Sequence, residues 1–206
     1  MSLLDGPKVN ADQAKKLHKK EQSEKEFWKN LINMKGVYGI ELEESFDLYA
    51  KLVQALGEYN EEQNPFVSKI VEYAHAEGRK VYGINCKLLR KHDAIGFLEW
   101  LSLQPTSSRP IVIIQNITEI PFGKDIYDDA QYVEDILVHS WKNETNYLTN
   151  KVGNQFVIKP SNYTVFLTWS ARTTEMIKNV WRASDGFGWI GNLNDYKKAF
   201  FDSKKL

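Results

Sequence analysis

Few residues in this chain are arranged for chemistry, and their spacing removes most reaction classes at once. The four histidines, His18, His75, His92 and His139, form no H-x-x-x-H or H-E-x-x-H pair, so no helix face carries two imidazole ligands for zinc. His92-Asp93 has the composition of an acid/base pair, but Asp93 is more simply a first-turn carboxylate favoured by a helix dipole. The single cysteine, Cys86, ends the apolar run VYGINC and reads as a packing residue rather than a nucleophile. No G-x-S-x-G elbow or G-x-G-x-x-G loop is present. GFGWIGN, near Gly186, has the wrong spacing and reads as a helix stop and a turn.

Two looser constellations remain. Glu119, Asp125, Asp128 and Asp129 could supply oxygen ligands to a divalent cation in a metal-dependent nucleic-acid-processing or nucleotide-dependent enzyme, although clustered surface acids are more often only solvated. In the last third of the chain Trp169, Arg172, Lys178, Trp181, Arg182 and Trp189 interleave rings with cations, and Trp141, Lys197 and Lys198 lie nearby. That mixture suits either a protein interface rich in Trp and Arg or stacking and phosphate contacts with nucleic acid.

Bulk charge favours neither. Lys plus Arg and Asp plus Glu number 27 each, so any attraction for polyanions must come from a local patch. Lys15, Lys16, Lys19 and Lys20 form one such cluster, which reads first as a solvated helix face and is weakened by the acidic residues that follow it. A lone cysteine without a disulfide partner fits a reducing, cytoplasmic setting. No apolar run approaches the ~20 residues needed to span a bilayer, so no membrane partner is expected.

The elements that must position these residues follow from periodicity. At 206 residues one domain with an added arm is the default. Residues 1–34 read as a charged helical arm anchored by Phe27, Trp28, Leu31 and Ile32, and 35–206 as the α/β domain. Gly36-Val37-Tyr38-Gly39-Ile40 reads as a strand, followed by the acidic turn ELEES and the helical pattern FDLYAKLVQALGEY. FVSKIVEYAHAEG predicts a helix stopped by Gly78, KVYGINC a strand, KHDAIGFLEWLSL a helix and PTSSRP a loop. Ile111-Val112-Ile113-Ile114 is a continuous β-branched run, as expected of a central strand covered on both faces. DAQYVEDILVHSWKNE predicts a helix and TNYLTNKVGNQFVIKPSNY a loop or short hairpin. TVFLTW is a strand, TTEMIKNVWRAS a helix, GWIGNL an edge strand and NDYKKAFF a short helix. The alternation predicts a three-layer α/β/α fold around a largely parallel sheet.

In that order the segments resemble the core domain of an AAA+ ATPase within the P-loop NTPases, with clamp-loader subunits as the nearest analogy. KGVYGIELEESFDLYAKLVQAL stands where the family has its first strand, phosphate loop and helix, RPIVIIQNITEI at the strand with the acidic pair, and NYTVFLTWSARTTEMIKNVWR at the sensor strand. The family's G-x-x-x-x-G-K-[ST] loop wraps backbone N–H groups around phosphates, with a Lys for charge and a hydroxyl for Mg²⁺. Aligned on Gly39, this sequence has Glu44, Ser45 and Phe46 in place of the second glycine, the lysine and the hydroxyl residue. Glu41, Glu43 and Glu44 would set carboxylates at a helix N-terminus and repel a phosphate.

At the acidic pair stand Gln115 and Asn116, neutral amides that hold Mg²⁺ poorly, and at the sensor position Thr168 and Ser170. The sequence after NDYKKAFF has no room for the family's helical lid. The resemblance therefore implies an ATPase-inactive member with no nucleotide cofactor. Its expected role is a scaffold or interaction module, accessory to an ATPase or to a DNA-transaction assembly, with protein partners or further copies of itself. Nucleic acid stays open as a partner, and a non-catalytic nucleic-acid binder is the remaining alternative.

Overall fold

The computed structural model describes residues 11–42, 65–86, 91–117, 140–141, 147–150, 152–170 and 188–204. Five strands form one parallel sheet: β1 (Gly36–Leu42), β2 (Val81–Asn85), β3 (Ile111–Gln115), β6 (Thr164–Ser170) and β7 (Gly188–Asn192), in the order β2-β3-β6-β1-β7. Between β3 and β6 in sequence, β4 (Tyr147–Thr149) and β5 (Gln155–Val157) make a separate antiparallel hairpin, where the sequence left open a loop or a short hairpin. The helices are α1 (Ala11–Asn33), α2 (Pro65–Ala76), α3 (Lys91–Ser102) and α4 (Leu193–Ser203). The expected helices at FDLYAKLVQALGEY and TTEMIKNVWRAS lie outside the described residues, as does most of the one at DAQYVEDILVHSWKNE.

Strand alternation divides the core into two layers. Val37, Val112, Ile114, Val165, Leu167 and Trp169 face one way, against Ala94, Leu98 and Leu101 of α3 and against Trp141, Ile158 and Tyr163. Ile40, Ile111, Ile113 and Phe166 face the other, against α1, α2 and the partly buried Leu193, Tyr196, Phe200 and Phe201 of α4. Helices thus cover both faces, the three-layer α/β/α arrangement around a parallel sheet that the alternation predicts.

The middle strand is β6, buried at all seven positions, while β3 lies one place off centre. The Ile-Val-Ile-Ile run marked a covered strand but could not give its rank, because any interior strand of such a sheet is covered on both faces. Trp28, Leu31 and Ile32 are buried with Phe27, so the last part of the charged arm is built into the core.

Helix α2 ends as its glycine predicts: Gly78 takes φ +68° and lets the chain turn into β2. The opposite edge of the sheet needs glycine for a different reason. A Cβ on Gly188 would lie 2.3 Å from the Tyr38 ring, so any larger residue there would force that ring to move. The GFGWIGN segment is therefore a strand from Gly188 onward, with a bulge opposite Gly39/Ile40, rather than only a turn.

Candidate functional site

Because all five strands run parallel, their C-terminal ends share one edge, the place where α/β sheets bind ligands. The three strands singled out by the resemblance, β3, β6 and β1, are neighbours there. Gly39 is the fourth residue of β1, opposite Leu167, and is buried within the strand. Glu41 also belongs to β1, paired with Trp169 of β6, so the strand runs two residues further than its apolar pattern and takes in the start of the expected acidic turn. Glu43, Glu44, Ser45 and Phe46 lie outside the described residues.

Two amide contacts organise this edge. Asn192, the last residue of β7, donates from Nδ2 to Glu41 Oε1 at 3.2 Å. Its Oδ1 accepts from the backbone N–H groups of Asn194 at 3.0 Å and Asp195 at 3.2 Å, which makes it the N-cap of α4. One side chain thereby joins a strand end, a helix start and the carboxylate of the neighbouring strand.

The second contact lies across β2 and β3. Gln115 ends β3 in register with Asn85 of β2. Asn116 turns away in the left-handed region, φ 56°, which asparagine tolerates better than most residues, and its Nδ2 donates to Asn85 Oδ1 at 2.9 Å. Ile117 N–H then donates to the Thr168 carbonyl at 3.1 Å, carrying the chain over β6. The pair assigned to Mg²⁺ is thus two neutral amides, one of them engaged with a third.

Thr168 and Ser170 are both buried. Thr168 lies on the α1/α2 side of the sheet and Ser170 ends β6 opposite Leu42. Trp169 is 1% exposed and packs 5.1 Å from Trp189, ring centre to ring centre, so it is a core residue and leaves the surface patch proposed from its sequence neighbours. The physical reason is its register: it follows Val165 and Leu167 on one face of the most covered strand. Trp189 is 43% exposed on edge strand β7 and keeps its place as a surface ring. Arg172, Lys178, Trp181 and Arg182 lie outside the described residues, as do Glu119, Asp125, Asp128 and Asp129.

His18 and His75 are exposed on α1 and α2, and Cys86 is fully buried. Among the described residues no three His, Cys, Asp or Glu side chains gather closely enough to hold a metal ion, and no helix is long and apolar enough to cross a membrane.

The opposite, N-terminal edge holds a polar network centred on Arg79, the residue after Gly78. Arg79 is 7% exposed. Its Nε donates to the Arg109 carbonyl at 2.8 Å, Nη1 to the Ile32 carbonyl and Nη2 to Thr164 Oγ1 at 2.9 Å, while Thr164 Oγ1 donates to the Met34 carbonyl at 2.6 Å. Burial, then the Arg109 charge, draws the Arg79 pKa below its ordinary value, with Glu77 acting against them. A guanidinium remains protonated all the same.

Sequence reasoning missed Asn85, Asn192 and Arg79. The first two had a signal: Asn85, Asn116 and Asn192 each follow an apolar strand run, where a short amide can cap a neighbouring element. Arg79 had none, since an arginine after a helix-stopping glycine ordinarily faces water.

No protein-family model matches the chain, and no curated protein sequence matches it. Among solved structures it is similar to a chain in the structure of Drosophila ORC bound to GC-rich DNA and Cdc6, with 12% identity and a TM-score of 0.37. A chain in the structure of Drosophila ORC bound to AT-rich DNA and Cdc6 gives 10% identity and a TM-score of 0.36. The alignments cover 93% and 95% of this chain but only 62% and 66% of those chains, so it spans less than two thirds of their length.

Proposed function

We propose that this protein is a non-catalytic, P-loop NTPase-like interaction module, an accessory subunit acting beside an ATPase or within a DNA-transaction assembly. The observation that carries the reading is the end of β3. Hydrolysis there requires carboxylates free to hold Mg²⁺ and to polarise water, whereas Gln115 and Asn116 offer neutral amides and Asn116 is bonded to Asn85. At the end of β1, Glu41 adds negative charge where a triphosphate needs positive charge. Glu44, Ser45 and Phe46 replace the remaining phosphate-loop groups in the sequence. In this reading the fold is kept for its surfaces, and its partners are other proteins or further copies of itself. Trp189 offers an exposed ring to anchor one, since tryptophan is enriched among the residues that dominate interface energies.

Calorimetric titration with ATP·Mg²⁺, paired with a phosphate-release assay, tests the proposal. The expected result is no saturable heat at millimolar nucleotide and no release above the buffer rate. Saturable binding accompanied by turnover would overturn it.

A further inference from the structure

Helix α1 enters the core only at Phe27, and none of the residues described before it is buried. Lys15, Lys16, Lys19 and Lys20 lie on this projecting part and all four are exposed. At 100° per residue they occupy an arc of about 140°, within about 7.5 Å along the axis. Glu21 falls about 170° from the centre of that arc, on the far side. Glu24 and Glu26, which in sequence dilute the basic run, are bound instead to Lys197 and, at 3.2 Å, to Lys204 of α4. Asp12 is the remaining carboxylate of the helix on the same arc, and it too has a contact of its own. Among the described residues none of the four lysines is in an ion pair. A chain of zero net charge thus gathers four exposed lysines on one helix face, net positive even with Asp12 on the same arc.

We infer that this face of α1 binds the phosphate backbone of duplex nucleic acid without reading its sequence. Three features select that partner. Lysines are point charges on flexible stems, suited to phosphates, and they are depleted in protein interfaces, where Arg and aromatic anchors dominate. The arc carries no such anchor. An anionic membrane would ask for an apolar strip beside the charges, and the described residues of this projecting part offer only Leu17, on the other side of the helix. A helix about 10–12 Å across also matches the width of a major groove, so it can lie along one with its lysines toward the strands. The inference does not depend on the nucleotide site: a chain that bound ATP would leave it untouched.

Fluorescence anisotropy with a labelled DNA duplex of arbitrary sequence tests it on the full chain. Four phosphate contacts give a slope of log K against log salt near −3.6, which is about a 150-fold loss of affinity between 50 and 200 mM salt. The Lys15→Gln, Lys16→Gln, Lys19→Gln and Lys20→Gln quadruple variant is expected to lose binding while melting at the wild-type temperature, because glutamine is a good helix former and the sites are exposed. Each single variant should lower the slope by about 0.9. A Lys80→Gln, Lys159→Gln control, which removes charge elsewhere on the surface, should bind as the wild type does. The inference is overturned by absent binding at low salt, by a quadruple variant that binds as well as wild type, by a control that weakens equally, or by capture on phosphatidylserine vesicles in preference to duplex.

Discussion

The two edges of this sheet are built on opposite principles. At the N-terminal edge one buried guanidinium collects the Ile32 carbonyl from α1, the Arg109 carbonyl before β3 and the Thr164 hydroxyl at the start of β6. Its partners are 30, 47 and 85 residues away in sequence. At the C-terminal edge short amides make partly exposed contacts, Asn192 with Glu41 and Asn116 with Asn85, at strand ends where an α/β sheet ordinarily presents its ligand groups. One edge is dry and closes the fold. The other is wet and polar, with its groups directed at one another.

The largest effect should come from the dry edge. Arg79→Ala takes their donor from the buried Ile32 carbonyl and Thr164 hydroxyl and from the part-buried Arg109 carbonyl, at about 1–3 kcal/mol for each group left unsatisfied in the interior. After partial relaxation and the relief of burying a charge, a loss of about 3 kcal/mol is expected, read as a shift of the urea midpoint. Arg79→Lys keeps the charge but cannot span three acceptors in a fixed fork, so it should recover less than half of that. A loss below about 1 kcal/mol for the alanine variant would show that the edge is held by packing and that the contrast between the edges is false.

The wet edge should respond less. Asn192→Ala removes the α4 cap and the donor to Glu41, for about 1–2 kcal/mol by chemical denaturation. Asn192→Asp separates the two roles, since aspartate caps as well as asparagine but places a second carboxylate beside Glu41. Its stability should fall between wild type and alanine. An aspartate variant as stable as wild type would mean that the Glu41 contact contributes nothing and that the edge is only a cap.

What the sequence made legible follows the same division. Apolar runs located all five sheet strands, most plainly the interior ones, because a parallel strand covered on both faces needs continuous apolar side chains. Gly78 marked the end of α2, and Phe27, Trp28, Leu31 and Ile32 marked the anchored part of α1, because these are local signals at helical spacing. The amide at the end of β3 could be read from Gln115 and Asn116, whose side-chain chemistry is the same wherever the strand lies. Strand rank could not be read, nor could the Trp169 burial or the Arg79 network, since each depends on which distant segment arrives alongside. Glu41 illustrates the boundary between the two kinds of signal: its charge suggested a turn, yet pairing with β6 and a donor from Asn192 keep it in the strand.

The smallest predicted effect lies in the contact that ties the two edges together through the helices. Helix α1 is held at the dry edge through the Ile32 carbonyl, and the residue just after it through the Met34 carbonyl; α4 starts at the wet edge on its Asn192 cap, and Glu24 meets Lys197 between them. Burial raises the Glu24 pKa, but hydrogen bonds from Lys197 and Trp28 and the nearby Lys197 and Lys69 charges outweigh it and leave it below its ordinary value. A carboxylate depressed in the folded state contributes stability that is present above its unfolded pKa and lost as pH falls through the folded one. Glu24→Gln keeps an acceptor for Trp28 Nε1 and removes only the charge. Because both side chains of the pair are about a third exposed, at 31% and 27%, the cost near neutral pH should stay below about 1 kcal/mol. Wild type and variant should then converge in acid, as pH falls through the depressed folded-state value. A gap that persisted unchanged in strong acid would mean that the glutamine disturbs packing around Trp28, and that the two edges are joined by the Phe27, Phe200 and Phe201 rings rather than by charge.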